Sequence, residues 1–268
     1  MLDSPVTEPV FSKADLIKKL QAIKDKGWIK TARPGNDGAV GNTLEDLLGI
    51  DENNLPIPNA AEWELKARRK SSSALTTLFH MEPSPTGSKI VPALLLPHYG
   101  WSHKSAGTKH SIDERRFSLT FSGNRYTDRG FKVVVDRNDK KVKVTFDATK
   151  VDAKHSDWLK RIEKDVGLGE LNPQPYYGFN DLMYKAGTKL KNCFYVQAQN
   201  EWRGKDEYFL FDEVEILSEF NFDGFLDCLE KGVIFIDFDA RSGHNHGTKF
   251  RIKRNSWPLL YKNCVRVI

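Results

Sequence analysis

Residues 63–67, Trp-Glu-Leu-Lys-Ala, alternate apolar and charged side chains, and this period of two constrains the fold more than any other stretch. Successive residues of a strand point to opposite faces. Trp63, Leu65 and Ala67 therefore need covering, while Glu64 and Lys66 project together from the other face with Glu62 beside them. A carboxylate and an ammonium side by side are what metal-assisted phosphodiester hydrolysis uses: anionic oxygen to hold Mg²⁺, and a positive group near the attacking water or the developing charge on phosphorus. The spacing alone is unspecific, because any exposed amphipathic strand can show it. A site of this kind also takes a second acid from just upstream, and there the chain has Asn59.

Around this strand the pattern is that of an α/β protein with mixed sheets. Ser12 and Asp15 form a capping box ahead of the stripe Leu16, Ile17, Leu20 and Ile23, closed by Gly27, which predicts a helix. Residues 31–42 read as a glycine-rich loop and 43–49 as a short helix. Residues 75–80 read as a strand, 130–147 as a hairpin about Arg137–Lys140, and Ser156 starts a helix ending near Gly167. Two strands flank the turn at 200–206, a helix covers 221–232, and 233–239 is a buried strand. Residues 243–247 read as a loop before a last strand. A linker near 97–113 suggests two lobes, residues 1–110 and 111–268, in one continuous unit.

Charge narrows the partner. The net charge is only +5, but residues 240–268 hold seven Lys and Arg and no Asp or Glu. A second basic region runs from Lys104 to Lys132. Such segments suit a phosphate backbone. With no apolar run near a membrane span, no leader-like N-terminus, and three scattered cysteines, the expectation is a soluble cytoplasmic protein without a disulfide framework and with no membrane partner.

Gly38, Gly41, Leu44, Glu45, Asn59, Glu64, Leu65 and Lys66 together resemble the pattern of the MvaI/BcnI family of type II restriction endonucleases and, more distantly, of the mismatch-repair nickase MutH. The likeness continues through residues 122–125 and 244–252. The resemblance implies a restriction-endonuclease-like fold, a mixed β-sheet core flanked by helices, with two lobes around a DNA cleft, residues 1–110 mainly catalytic and 111–268 mainly DNA-recognising. It also implies a monomer that reads a short C-C-x-G-G type site in double-stranded DNA and nicks each strand in turn with Mg²⁺, paired with a cognate methyltransferase in the same restriction–modification system.

Carried over by position, Glu64 would ligate the metal, Lys66 would serve the scissile phosphate or the water, and Glu45 would stand at the edge of the site. Asn59 departs from the pattern, since the family carries a metal-binding Asp there. An amide oxygen brings no charge, and Asp51 and Glu52 reach the site only if their loop is rebuilt. The asparagine is either an introduced substitution that traps uncleaved DNA, which is favoured, or a natural impairment. The resemblance places His244, His246 and Arg251 in the recognition lobe facing the major groove; a polar turn capping a strand is the plainer alternative, and a metal pair is disfavoured. It also points to His80 for a minor-groove contact and to Arg125 for a DNA contact. The competing readings are a catalytically silent DNA-binding homologue and a MutH-like nickase.

Overall fold

The computed structural model describes residues 11–50, 63–71, 74–103 and 105–268. In chain order, α1 (Lys13–Asp25), β1 (Ile29–Lys30) and α2 (Ala39–Leu48) precede β2 (Glu64–Arg69) and β3 (Thr76–His80). A wide helical segment at Val91–Tyr99 leads to β4 (Trp101–Ser102), β5 (Arg115–Ser122), β6 (Arg129–Asp136) and β7 (Lys141–Val151). Then come α3 (Ser156–Val166), β8 (Tyr176–Gly178), α4 (Phe179–Lys189), β9 (Asn192–Arg203), β10 (Asp206–Phe220) and α5 (Phe222–Glu230). The chain closes with β11 (Ile234–Arg241), β12 (His244–Ile252) and β13 (Tyr261–Arg266). Among the described residues no helix is long and apolar enough to cross a membrane.

Contacts divide the chain into two units. The first holds residues 1–74, 187–221 and 260–268; the second holds 75–186 and 222–259. The linear reading drew one boundary near 110, whereas the contacts draw four. The reason is sheet pairing: β2 near the start joins β9, and β13 at the end joins β10. Residues 97–113 lie inside the second unit, where β4 pairs with β5.

The first unit is built on a mixed sheet in the order β1-β10-β9-β2, with β13 also on β10. β2 runs parallel to β9 and the other pairs are antiparallel. One sheet face presents Leu65, Phe194, Val196, Phe211, Val214 and Ile216 to a core shared with Leu16, Leu20 and Ile23 of α1 and Val40, Leu44 and Leu48 of α2. Each such buried side chain contributes about 1.5–3 kcal/mol, so this face holds β2 in place. The opposite face carries Glu64 and Lys66.

Local signals explain both helices. The Ser12 hydroxyl accepts from the Asp15 N–H at 3.2 Å and donates to the Asp15 carboxylate at 2.6 Å, the expected capping box. α2 starts four residues before the expected Thr43, because burial of Ala39 and Val40 outweighs the low helix propensity of Gly41. It stops at Gly49, whose φ of 69° is left-handed.

The second unit has an antiparallel sheet in the order β3-β12-β11-β5-β4 and a smaller sheet, β6-β7-β8. Its core is aromatic: Phe121 stacks on Phe131 at 5.2 Å, and Phe79 on Phe250 at 4.9 Å. The hairpin about Arg137–Lys140 forms as expected, with the Asp136 carboxylate accepting from the N–H groups of Asn138 and Asp139.

Candidate active site

The first unit holds the candidate chemistry. In the parallel register Glu64 lies beside Cys193 and Lys66 beside Tyr195. Glu64 is 3% exposed, and Lys66 Nζ stands 2.6 Å from its Oε1. A buried carboxylate is costly unless it is paired, and Lys66 pairs one of the two oxygens. The other, Oε2, is buried without a hydrogen-bond partner among the described residues. Behind it, burial pushes the Cys193 thiol up, only partly countered by the nearby Lys66 charge.

Glu45 is half-buried on α2, which packs against β2. The loop that launches α2 is tied to the same strand by a buried ion pair. Arg69, the last residue of β2, donates to Glu207 at 2.8 and 3.1 Å and to the main-chain oxygens of Asn36 and Asp37. Glu207 also accepts from the Gly35 N–H at 3.0 Å. Burial alone would raise the Glu207 carboxyl, but these hydrogen bonds outweigh it and hold the group below the usual carboxylate range. The glycine-rich loop, α2 and β2 are thereby set as one piece.

Asn59, with Asp51, Glu52 and Glu62, falls outside the described residues. Among the described residues no three His, Cys, Asp or Glu side chains gather in a way that could hold a metal ion. The fit to a divalent cation is therefore partial: Glu64 is a buried carboxylate with one oxygen on Lys66, and among the described residues no further acidic or imidazole side chains gather with it in the number a metal site needs.

The candidate DNA-reading residues all belong to the second unit. His244 and His246 are exposed, with ring centroids 4.2 Å apart. The loop expected at 243–247 is instead mostly strand: β11 and β12 join through the two-residue turn Ser242–Gly243, and β12 begins at His244. Left-handed φ values at Gly243 (75°) and Gly247 (80°) supply the turn and the bulge that pairing needs.

Residues directly opposite in an antiparallel pair share a sheet face. One row across the solvent side therefore reads His80, Lys249, Asp237 and Thr120. His80 is exposed, and its pKa is lowered by partial burial and by Lys249 and Lys185. Arg251 is engaged within the fold, donating to Asp237 at 3.1 Å and to the Leu75 main-chain oxygen at 3.0 Å. Arg125 is exposed at a cavity of about 410 Å³ that Thr120, Ser122, Tyr126 and Phe235 also line. The turn before it requires glycine, since a Cβ at Gly123 would lie 2.2 Å from the Leu229 oxygen.

Neither charge nor motif singles out Asp237 and Asp239 on this face, and Arg241 stands out only as one of seven basic residues in its segment. Their signal was available: they alternate with buried Ile236, Phe238 and Ala240 at a period of two. Arg241 is held by Glu114 at 3.2 Å.

The chain matches the MvaI/BcnI restriction endonuclease family over residues 17–261. Among solved structures, it is similar to restriction endonuclease MvaI in complex with its cognate DNA substrate, at 22% identity and a TM-score of 0.75, covering 96% of this chain and 100% of that one. It is also similar to MvaI in the absence of DNA, at 22% identity and a TM-score of 0.55, covering 97% and 100%. No match was found among curated proteins.

Proposed function

The chain belongs to the MvaI/BcnI restriction endonuclease family, and from that premise we propose that it is a type II endonuclease of double-stranded DNA, acting as a Mg²⁺-dependent monomer that nicks the two strands of a C-C-x-G-G type site in turn. The observation that carries this reading is the Glu64–Lys66 pair, a buried carboxylate and a lysine 2.6 Å apart on one strand whose far face is locked into the core. The likeness to a DNA complex supports duplex DNA as the partner.

Glu64 and the residue at position 59 would hold the cation, with Glu45 at the edge of the site. When bound, a divalent cation supplies Lewis-acid stabilisation of the charge that builds on the phosphate. Glu64 provides the anionic oxygen such a site needs. Lys66 neutralises Glu64 in the free protein and turns toward the scissile phosphate or the attacking water when that carboxylate takes another partner. The sheet beneath keeps both groups from drifting, which is what positioning chemistry requires. In the second unit, His80, Arg125, His244, His246 and Arg251 contact the duplex.

Asn59 carries no charge where an acid is needed, so this chain binds its site and cuts it slowly or not at all. That asparagine also favours the second reading, a silent DNA-binding homologue. One experiment decides between them: cleavage of C-C-x-G-G duplexes in Mg²⁺, beside footprinting on the same DNA in Ca²⁺. Site-specific cuts support the endonuclease, a footprint without cuts supports the silent homologue, and neither sinks both.

A further inference from the structure

Tyr261 opens β13, opposite Phe220 of β10, and is 7% exposed. Its hydroxyl is buried and makes no aligned hydrogen bond among the described residues, the same condition as Glu64 Oε2. The two groups are not strangers. Tyr261 lies against the Cys193 thiol and within electrostatic reach of the Glu64 carboxylate. Cys193 is the strand neighbour of Glu64 in register and is fully buried. A phenol is a donor and a carboxylate an acceptor. Two complementary orphan groups in one buried cluster are a pair that a shift of the carboxylate would join, because each left alone keeps its desolvation penalty.

Lys66 explains why the shift has not occurred. In this structure it grips Glu64 by Oε1, and that grip sets the direction of the whole carboxylate. We infer that Tyr261 is a positioning residue for Glu64, its hydroxyl, seated on Cys193, becoming the donor that fixes the inner carboxylate oxygen when the outer one leaves Lys66 for a divalent cation. This rests on the reading of Glu64 as a metal ligand. Ligating carboxylates are commonly held by such outer hydrogen bonds, and their loss typically weakens metal binding by about 10–100-fold. A hydroxyl poised at some distance belongs at or below the bottom of that range.

Two measurements on the full chain test it. The first is a double-mutant cycle of Glu64→Gln and Tyr261→Phe in the Lys66→Met protein, where the carboxylate is released from its lysine, read as unfolding equilibria in urea. Phenylalanine fills the same space, so a role in packing alone makes the two changes additive. A departure from additivity of about fivefold or more in the unfolding constant supports the contact; additivity within about twofold overturns it. The second is a Mn²⁺ titration of the Asn59→Asp protein, with the free ion read by electron paramagnetic resonance. Tyr261→Phe should weaken binding by about three- to tenfold, while Cys193→Ser, which keeps a small hydroxylated side chain under the phenol, should leave it within about twofold. Unchanged affinity in Tyr261→Phe overturns the inference while leaving Glu64 a ligand, provided Glu64→Gln abolishes binding. If Glu64→Gln binds Mn²⁺ as before, the metal reading of the site itself fails and the positioning role fails with it.

Discussion

Lys66 stands 2.6 Å from Glu64, two residues earlier on the same strand, and the carboxylate it neutralises is almost wholly buried. The pair is therefore both a catalytic candidate and a structural debt. Removing one partner of a buried pair is strongly destabilising, by about 3–5 kcal/mol when both are buried. Lys66 is 24% exposed, and its loss should cost less. Lys66→Met should lower stability by about 1–3 kcal/mol, and Glu64→Gln with Lys66→Met should cost less than the sum of the single changes. Any residual cleavage, and the cleavage gained by Asn59→Asp, should vanish with Lys66→Met while binding in Ca²⁺ stays within about tenfold. Urea unfolding, cleavage and binding assays check the three parts; loss of sequence preference instead of cleavage would move the active site elsewhere.

Asn59→Asp should create or restore Mg²⁺-dependent cleavage. The two residues are nearly equal in size, so the change adds one negative charge ahead of Glu64 without new bulk. Each tenfold in rate corresponds to about 1.4 kcal/mol of barrier, and a gain on the order of a hundredfold or more is expected. The measurement is cleavage of a cognate duplex by both forms. A normal enzyme rate with Asn59 in place would show that another residue supplies the ligand, with Asp51 the first to test.

The two parts of the β11–β12 hairpin should respond differently. His244 and His246 are exposed, so His244→Ala should leave stability within about 0.5 kcal/mol and cost about 1–3 kcal/mol of discrimination at one base pair. Arg251 is tied to Asp237 and Leu75. Arg251→Ala should lower stability by about 1–3 kcal/mol through the partners it abandons, whatever it does to binding. Unfolding curves beside selection from randomised duplexes separate the two, and an Arg251→Ala protein of unchanged stability would show that its contacts contribute nothing to the fold.

Acid should loosen the loop that launches α2. The Glu207 carboxyl is held below its unfolded value, so it contributes stability above the unfolded pKa of about 4.3. That contribution is lost as pH falls through the lower folded value. Unfolding free energy should therefore drop on the acid side, and Glu207→Gln should flatten that drop while lowering stability at neutral pH. An acid limb identical in the two proteins would mean that other carboxylates dominate it.

Much of the first unit was legible because its signals are local. The capping box at Ser12, the stripe of α1 and the alternation around Glu64 each lie within a few residues, and period alone assigns the buried face of β2. The strand pair about Arg137–Lys140 was legible for the same reason. The family pattern of glycines, Glu45, Glu64 and Lys66 was likewise readable along the chain. Other features have no local signal. β13 is a mostly exposed strand that pairing with β10 alone makes regular. His244 joins a strand because Gly243 and Gly247 take left-handed conformations, which composition reads equally well as a loop. Arg251 reads as a free basic residue until its cross-strand neighbour Asp237 is known. Cys193 comes beside Glu64 only through a parallel register between distant segments, and Tyr261 enters the same unit only through the antiparallel pairing of β13 with β10. The chain by itself determined which residues must be covered and which chemistry is carried. Tertiary structure decided which groups share a desolvated pocket, because that depends on pairing between strands far apart in sequence, whose energy no period or propensity encodes.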